Sequence, residues 1–427
     1  MNIFLIGGGG REHTLAWKLK QSALCKQLFI APGNAGTLLM GTNVALATTD
    51  FAGLASFCVH NKIDMMIVGP EEPLVKGIYD FFKSNPLTAA IHVIGPSKEA
   101  AQLEGSKAYA KAFMRRHNIP TAAYREFDAA NFEDGMAYIR NHSLPIVLKA
   151  DGLAAGKGVV ICASHIEALA EFELMIHHAK FAEAGRRVVI EEFLDGIELS
   201  MFALTDGKNY VLLPEAKDYK QIGIGNTGPN TGGMGAVSPV PFVDDAYLQK
   251  VKTAIIDPTI AGLHAENLKY IGVVFIGLIN VKGEPFVIEY NCRFGDPETE
   301  AIIPRVENDL VEILLAASQQ RLNEVVIKTS SRAAVTVVAV SGGYPNAHET
   351  GKEIHGLDSN EIEGTIIFHS GTKKERNSVV TNGGRVLAVT SFGNNITEAA
   401  EQSNYMLDQI CFEGIYYRDD IGFEFRG

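Results

Sequence analysis

Residues 149–160 read KADGLAAGKGVV, and this glycine-rich stretch decides the fold class of the chain. Three glycines around one lysine suggest a loop that holds phosphate, as in the Walker pattern G-x-x-x-x-G-K-[ST]. That pattern requires glycine at position 151 and a hydroxyl residue at position 158, where the chain carries Asp151 and Gly158. The flanking segments PIVLKA and VVIC are apolar and rich in β-branched residues, so we predict a loop between two strands and not a strand followed by a helix. A flexible hairpin tip and a loop that holds ATP in another way both stay open at this point.

Composition excludes several classes of protein. The chain has 427 residues, with 38 basic and 50 acidic side chains and a formal net charge of -12, which argues against binding to nucleic acid or to an anionic membrane surface. Its length suggests about three domains. The N-terminus shows no signal peptide, and no stretch approaches the roughly 18 apolar residues of a membrane span. The five cysteines are scattered without C-x-x-C spacing, which indicates reduced thiols and a cytoplasmic location.

The N-terminal region alternates strand and helix patterns, which predicts a parallel sheet with ligands at the carboxyl ends of its strands. The loops GGGGREH, APGN, GPEEP and GPS all fall at those ends. Between them, LVKGIYDFF is predicted to form one helix with an apolar face. A further helix is predicted over residues 106–117, capped by Ser106, and another from about 396 to 411.

The first glycine loop is a weak dinucleotide signal. Gly7 and Gly9 fit the G-x-G-x-x-G fingerprint, but the third glycine would fall at Glu12, and the second strand lacks the acidic residue that binds a ribose hydroxyl. A phosphate or a small polar substrate fits better, because glycine amides at a helix start lie beside Arg11.

The strand VIEYNCRFG carries the clearest chemistry. Side chains alternate along a strand, so Glu289, Asn291 and Arg293 share one face, and Tyr290 and Cys292 share the other. The carboxylate and amide oxygens can coordinate magnesium, and the guanidinium can bind phosphate or carboxylate in a bidentate manner. The alternative is a solvent-facing polar stripe, but the strongly apolar flanking residues favour a central strand. The turn of a hairpin is predicted at KGE, just before this strand.

A third element is RVVIEEFLDGIELS, in which an apolar strand leads into a short linker. The backbone of such a linker can pair with adenine, and Glu198 follows where a carboxylate could bind ribose hydroxyls. This signal is weak alone, because acidic residues after strands are common.

In chain order, a lysine strand with a glycine loop, an I-E-E-F-L linker and an E-x-N strand ending in arginine resemble the ATP-grasp superfamily, whose two α+β units close on ATP. The resemblance narrows to the phosphoribosylamine–glycine ligase family, on the strings GREH, APGNAG, VGPEEPLVKG, QLEGSK, KADGLAAGKGV, NTGPNTGGMGA, NCRFGDPETE, HGL and TNGGRVL. The resemblance covers nearly the whole chain. One departure from the superfamily is Gly277, at the position where many members carry a second acidic metal ligand.

The resemblance implies a multidomain α/β and α+β fold. A parallel-sheet, Rossmann-like domain is expected at residues 1–105, and an ATP-grasp core of two α+β units at 106–325, with a lid-bearing subdomain at about 120–192. A β-rich α+β domain is expected at 326–427.

The resemblance also implies a reaction, in which ATP drives the joining of glycine to 5-phosphoribosylamine through glycyl phosphate, in purine biosynthesis. Mg²⁺ or Mn²⁺ is the implied metal, and the protein is expected to be a monomer without nucleic-acid or membrane partners. Another ATP-grasp ligase or carboxylase with a different carboxylate substrate is one alternative. A nucleotide sensor without activity is another, although it should lack the metal-binding face.

The resemblance assigns roles to particular residues. The expected ATP-binding residues are Lys107, Lys149, Gly152, Gly156, Lys157, Gly158, Glu191, Glu192, Phe193, Leu194 and Glu198. The expected substrate-binding residues are Gly9, Gly10, Arg11, Asn34, Asp218, Asn230, Thr231, Gly232, Gly233, Arg293 and Gly295. Glu289 and Asn291 are the expected metal ligands, and Arg293 and Lys149 are the expected catalytic residues. Asp218 is expected to hold the glycine ammonium.

Overall fold

The structure, a computed structural model, describes residues 1–152, 158–177, 187–357 and 362–426. Within these ranges we find no helix that combines the length and the apolar character needed to cross a membrane.

The N-terminal region forms the predicted parallel sheet. Strands β1, β2, β3, β4 and β5 pair in the order β5-β4-β1-β2-β3, and every one of these pairings is parallel. The first elements in chain order are β1 (Asn2–Gly7), α1 (Gly10–Lys20), β2 (Gln27–Pro32), α2 (Thr37–Met40), β3 (Thr42–Asn43), α3 (Phe51–His60), β4 (Met65–Val68), α4 (Glu71–Lys76), α5 (Ile78–Ser84) and β5 (His92–Pro96). The carboxyl ends of β1, β2 and β4 therefore lie at one edge of the sheet, where the first glycine loop, GGGGREH, begins.

The single helix predicted from LVKGIYDFF is wrong. The helix is interrupted at Gly77, which has φ +92, a left-handed conformation that ends α4 before α5 begins. Leu74, Ile78 and Phe82 are fully buried as expected, but the Phe81 side chain is 37% exposed. The hydrophobic periodicity of LVKGIYDFF runs across Gly77, where the backbone turns. Helices α4 and α5 therefore do not present one continuous apolar face.

The next region builds a separate small sheet. Its elements are α6 (Gln102–Gly105), α7 (Lys107–Arg116), β6 (Tyr124–Asp128), α8 (Phe132–Asn141), β7 (Ile146–Ala150), β8 (Val159–Cys162), α9 (His165–His177) and β9 (Arg187–Glu192). The strands pair antiparallel in the order β6-β9-β7-β8, and Phe127, Ile139, Phe172 and Ile190 belong to the apolar core that α8 and α9 share with them. Strands β7 and β8 confirm that the glycine stretch joins two strands. Ser106 caps α7 as predicted, since its side chain accepts a hydrogen bond from the Tyr109 amide.

The central region contributes the hairpin that carries Glu289. Its elements are β10 (Ile197–Thr205), β11 (Tyr210–Asp218), β12 (Gln221–Gly223), β13 (Thr227–Asn230), β14 (Gly235–Ser238), α10 (Asp245–Val251), α11 (Asp257–Ala265), β15 (Tyr270–Val281), β16 (Glu284–Asn291), α12 (Glu298–Ile302) and α13 (Leu310–Ser318). The hairpin β15–β16 is confirmed. Its two-residue turn consists of Lys282 at φ 52 and Gly283 at φ 89, and such left-handed pairs match the twist of antiparallel strands.

The C-terminal region extends the main sheet. Its elements are β17 (Ala333–Val340), β18 (Thr365–His369), β19 (Thr372–Glu375), β20 (Ser378–Thr381), β21 (Arg385–Gly393) and α14 (Ile396–Leu407), so the last helix ends four residues before the predicted 411. The main sheet runs β18-β21-β17-β14-β11-β10-β15-β5-β4-β1-β2-β3, with β16 paired to β15. The mixed α/β and α+β architecture is as expected. The domain boundaries at 105 and 325 stay a prediction, because strands from all three predicted domains pair in this one sheet.

Candidate active site

Two lysines and a glutamate form a buried cluster where the small sheet meets α7. Glu191 Oε2 on β9 accepts from Lys149 Nζ on the neighbouring strand β7, at 2.9 Å, and from Lys111 Nζ on α7, at 3.1 Å. The Glu191 side chain is 3% exposed, and its other oxygen, Oε1, has no hydrogen-bond partner among the described residues. A buried acceptor without a partner costs about 1–3 kcal/mol, so this oxygen fits a hydrogen-bond donor on a ligand.

Lys149 also reaches the strand of the predicted metal ligands. Its Nζ donates to the Ile288 carbonyl at 3.3 Å. Since an ammonium group has three hydrogens, the bonds to Glu191 and Ile288 leave one donor for a ligand. Lys107 lies nearby, with Nζ donating to the Gly152 carbonyl at 3.0 Å. Burial lowers the pKa of Lys107, and the Glu289 carboxylate acts against this shift, so these predicted residues do come together.

The start of the glycine loop is attached to helix α7. Asp151 Oδ1 accepts from Ser106 Oγ at 3.0 Å and from the Ala108 amide at 3.2 Å. On the other side of the loop, the Gly158 carbonyl accepts from the Ala150 amide at 2.8 Å. Residues 153–157, which include the predicted ATP-binding residues Gly156 and Lys157, lie outside the described residues, so their roles stay a prediction.

The linker after β9 is only partly available to a ligand. The Glu192 amide donates to the Ala123 carbonyl at 3.0 Å, and Glu192 Oε1 accepts from the Ala123 amide at 2.8 Å. Phe193 is 39% exposed, and Leu194 follows it along the linker. The hydrogen bonds of Glu192 are therefore made within the protein, which leaves Phe193 and Leu194 as the better candidates for contact with a base.

Lys220, which no sequence pattern singled out, lies beside the predicted ribose-binding and glycine-binding residues. Lys220 Nζ donates to Glu198 Oε2, and it lies 3.8 Å from Asp218 Oδ1. Burial raises the pKa of the Asp218 carboxyl, Lys220 lowers it, and the Glu198 charge raises it again. The segment EAKDYK contains Lys220 two positions after Asp218, and this closeness in the chain was the available signal, since β11 ends at Asp218.

Gly277, the position without an acidic side chain, lies against the strand of the predicted metal ligands. Gly277 on β15 lies opposite Glu289 on β16, and a Cβ atom added at Gly277 would stand 3.2 Å from Glu289 Cγ. A side chain at position 277 would therefore need Glu289 to move by a few tenths of an ångström.

The remaining donor set suits magnesium. Asn291 Oδ1 accepts from Arg293 Nη2 at 3.1 Å, so these two side chains do share a face. Among the residues that the structure describes, no three His, Cys, Asp or Glu side chains are grouped so as to hold a metal. One carboxylate and one amide oxygen fit Mg²⁺, which usually binds one or two carboxylates together with substrate phosphates and water.

Arg293 is held by two carboxylates that the sequence analysis did not assign. Its Nη2 lies 2.9 Å from Glu104 Oε1, and its Nε lies 3.4 Å from Glu71 Oε2. Burial lowers the pKa of the guanidinium, but these two charges more than offset it, so the pKa lies above the ordinary value. Both glutamates occur in strings that carried the family resemblance, QLEGSK and VGPEEP, and that was the available signal.

The first glycine loop is held by the protein's own side chains. The Gly9 amide donates to Glu12 Oε2 at 2.7 Å, while Arg11 Nε donates to Glu12 Oε1 at 2.6 Å and Arg11 Nη1 to the Phe294 carbonyl at 3.1 Å. A second carboxylate, Asp296, lies so close that a Cβ atom at Gly9 would be 3.3 Å from its Oδ2. The Gly9 amide therefore already has an acceptor, while Arg11 and Arg385 balance the two carboxylates, and phosphate binding at this loop stays a prediction.

Asn34, in the loop after β2, contacts the first glycine loop, since its Nδ2 donates to the Gly8 carbonyl at 3.0 Å. Its Nδ2 donates to the His369 carbonyl at 2.7 Å, and its Oδ1 accepts from the Gly36 amide at 2.9 Å and the Thr37 amide at 3.0 Å. The polar atoms of Asn34 thus join the first loop to the C-terminal region.

The amides of the NTGG segment are also engaged. The Gly232 amide donates to the Tyr344 hydroxyl at 2.9 Å, and the Gly233 amide donates to Thr231 Oγ1 at 2.9 Å. Arg385, from the string TNGGRVL, donates to the Gly232 carbonyl at 2.6 Å and pairs with Asp296 Oδ1 at 3.0 Å. Three other predicted substrate residues also have partners. Asn230 on β13 pairs with Gln221 on β12. The Gly295 carbonyl accepts from Thr299 Oγ1 at 2.6 Å, and the Gly10 carbonyl accepts from Thr14 Oγ1 at 2.9 Å.

Comparisons with known proteins agree across the chain. Three family models match: the N domain of phosphoribosylglycinamide synthetase at residues 1–104, its ATP-grasp (A) domain at 105–299 and its C domain at 334–424. The phosphoribosylamine–glycine ligase of Vibrio vulnificus (strain CMCP6) is 48% identical over 426 residues, covering 99% of this chain and 98% of the relative. The enzyme of the same name from Escherichia coli (strain K12) is 47% identical with the same coverage.

Solved structures also match over nearly the whole chain. The phosphoribosylamine–glycine ligase of Thermotoga maritima matches with a TM-score of 0.85 and 34% identity, covering 98% of this chain and 100% of the other. The biotin carboxylase domain of Hydrogenobacter thermophilus 2-oxoglutarate carboxylase, solved with MgADP and bicarbonate, matches with a TM-score of 0.74 but 14% identity, and so shares the fold alone. The matching ATP-grasp (A) domain and the donor sets above support ATP and Mg²⁺ in general terms. The chain belongs to the phosphoribosylglycinamide synthetase family, whose curated members are phosphoribosylamine–glycine ligases.

Proposed function

We propose that the chain joins glycine to 5-phosphoribosylamine, with ATP as the phosphoryl donor, and forms glycinamide ribonucleotide, ADP and phosphate. The observation that carries this proposal is the convergence of Lys107, Lys149 and Glu289 beside Glu191, whose Oε1 has no partner among the described residues. A ligand that offers both phosphate oxygens and an amino group fits this set, and ATP offers both.

The chemistry requires activation of the glycine carboxylate, because an oxide ion is a poor leaving group. One carboxylate oxygen attacks the γ-phosphorus, the bond from that phosphorus to the β,γ-bridging oxygen breaks, and ADP leaves. The amine nitrogen of the sugar then attacks the carbonyl carbon of glycyl phosphate, the carbon–oxygen bond to phosphate breaks, and the nitrogen loses one proton. The protein contributes positioning and neutralisation of charge in both steps.

The residues divide this work by position. We assign the free donor of Lys149, and Lys107, to phosphate oxygens, and Glu191 Oε1 to the amino group of adenine. Glu289 and Asn291 would hold Mg²⁺, which supplies positive charge for the transferred phosphoryl group when it is bound. Arg293, fixed by its acidic partners, lies beside Asn291, and we assign it to the transferred phosphoryl group or to the glycine carboxylate.

Three finer assignments rest on indirect support. We propose that Mn²⁺ can replace Mg²⁺, since both are hard cations that accept oxygen ligands. A monomer and a cytoplasmic location are also proposed, the latter from the scattered cysteines. Sedimentation of the purified chain would test whether it is a monomer. Its location in fractionated cells would test whether it is cytoplasmic.

Isotope transfer tests the reaction. Glycine labelled with oxygen-18 in both carboxylate oxygens should yield phosphate with one heavy oxygen per turnover, and the amide product should keep the other. Unlabelled phosphate alongside ADP would mean that water attacks ATP and that no glycyl phosphate forms. Replacement of glycine by bicarbonate or by another amino acid should abolish turnover, and turnover with one of them in place of glycine would favour the alternative ligase or carboxylase.

A further inference from the structure

We propose that Lys111 is a positioning residue that orients the Glu191 carboxylate toward the exocyclic amino group of adenine and so sets the preference for adenine nucleotides. The inference deepens the proposed function and rests on the same nucleotide site.

Lys111 has no donor left for a ligand. Its Nζ lies 3.1 Å from Glu191 Oε2, and it donates to Thr121 Oγ1 at 2.7 Å and to the Ala122 carbonyl at 3.5 Å. These contacts use all three hydrogens of the ammonium group, and the side chain is only 2% exposed. Any effect of Lys111 on a nucleotide must therefore pass through its neighbours.

The neighbour that matters is Glu191. Lys111 and Lys149 approach the same oxygen, Oε2, from α7 and from β7, and two fixed donors restrict rotation of the carboxylate more than one does. With Oε2 held in this way, Oε1 is directed to the side that neither lysine occupies. Without Lys111, the remaining ammonium partner of Glu191 among the described residues is Lys149, whose other bond goes to the Ile288 carbonyl.

Lys111 also connects the glutamate to the metal strand. The Thr121 hydroxyl that accepts from Lys111 donates its own hydrogen to the Val287 carbonyl on β16, at 2.7 Å. Val287 stands two positions before Glu289 on this strand. One buried ammonium therefore fixes α7, β9 and β16 relative to one another, and these elements supply the expected contacts to base and metal.

The charge on Lys111 can be changed by pH. Burial lowers its pKa to about 8, although Glu191 acts in the opposite direction. The other groups that face it are Lys149, Glu192 and the ring of Tyr124, whose centroid is 5.5 Å from Nζ. The ammonium form predominates below pH 8 and is lost as the pH rises through about 8, so the orientation of Glu191 should weaken in the same range. Arginine keeps its charge there.

Nucleotide binding provides a direct test that does not depend on turnover. Calorimetry at pH 7 with Mg²⁺ would compare ADP with purine riboside 5′-diphosphate, which lacks the amino group. The unchanged protein should prefer ADP by about 10- to 100-fold, as expected for a hydrogen bond to a buried carboxylate. Lys111→Met should reduce this preference to about threefold or less, whereas Lys111→Arg should keep at least half of it.

A matched control removes a different buried lysine. Lys18 is 8% exposed and donates to the Val306 carbonyl, far along the chain from the cluster. Lys18→Met should leave the preference for ADP unchanged. If Lys111→Met fails to fold, pH gives the same information: between pH 7 and 9 the preference should fall in the unchanged protein and persist in Lys111→Arg.

Three results would overturn the inference. One is an unchanged preference in Lys111→Met, or in the unchanged protein between pH 7 and 9. Another is an equal loss of affinity for both nucleotides, which would indicate a structural role only. The third is a lack of preference in the unchanged protein. Failure of the unchanged protein to bind either nucleotide would overturn the proposed function itself, and this inference with it.

Discussion

Two regions of the molecule carry the glycines and cations that predict phosphate binding, and their hydrogen bonding differs. At the loop after β1, the Gly9 amide and the Arg11 guanidinium are engaged by Glu12 and by the Phe294 carbonyl. In the cluster on β7 and β9, Glu191 Oε1 is buried without a partner among the described residues, and Lys149 keeps one donor.

This difference indicates which of the two regions has polar groups that a ligand would satisfy. The Gly9 amide and the Arg11 guanidinium already have acceptors within the protein, whereas an unpartnered buried oxygen is stabilised by a donor. We therefore expect substitutions in the first loop to act mainly on folding, and substitutions around the cluster to act mainly on turnover and nucleotide binding.

The largest effect should follow from Glu289→Ala. Loss of the charged metal ligand should lower turnover about a thousandfold, which corresponds to about 4 kcal/mol of transition-state stabilisation. Steady-state ADP formation at several Mg²⁺ concentrations would measure it. The matched control is Glu284→Ala on the same strand, whose exposed side chain pairs with Lys250 and should not affect turnover. Turnover of Glu289→Ala within about threefold of the unchanged protein would remove Glu289 from the metal site.

The first loop should respond to Glu12→Ala with a loss of stability. Arg11 would stay buried without its ion-pair partner, and the Gly9 amide would lose its acceptor. Breaking a buried ion pair costs about 3 kcal/mol. Urea unfolding would measure the change, and Glu72→Ala, which removes an exposed pair with Lys76, should cost less than about 1 kcal/mol. An equally small cost for Glu12→Ala would show that the loop is not held by this carboxylate.

Lys149→Met should weaken nucleotide binding with a smaller effect. The variant loses the donor that we assign to phosphate and one of the two partners of Glu191, so the affinity for MgADP should fall about 30-fold, or about 2 kcal/mol. Calorimetry would measure this, with Lys18→Met as the control for loss of a buried lysine. Affinity within threefold of the unchanged protein would place the phosphates elsewhere.

The smallest expected effect concerns Glu298, which accepts from Ser200 Oγ at 3.1 Å. Burial, reinforced by the Asp218 charge, raises the pKa of Glu298 to about 7. Because the folded state holds this proton more tightly than the unfolded chain, its contribution to stability is present at low pH and is lost as the pH rises toward 7. Between pH 5 and 7.5 the unfolding free energy of the unchanged protein should fall by about 1–2 kcal/mol more than that of Glu298→Gln. Parallel curves for the two proteins would contradict a raised pKa.

Local patterns in the sequence were sufficient for much of the fold. Alternation along VIEYNCRFG placed Asn291 and Arg293 on one face, and the KGE turn located the hairpin that the structure contains. Local patterns failed at Gly77, because hydrophobic periodicity does not report a left-handed backbone conformation inside a helical pattern. The assignments of ATP and substrate contacts to individual residues stay predictions.

The sequence by itself determined the fold class, the strand that carries Glu289 and Asn291, and the family, because these depend on residues close together in the chain or on long matching strings. Only the tertiary structure decided which polar groups are already paired. The partners of Arg293 and Glu191 come from distant segments, as do the Arg385 pair with Asp296 and the bond of Asn34 to the His369 carbonyl. Whether a buried charge is available to a ligand depends on the sum of its neighbours in space, and spacing along the chain does not contain that sum.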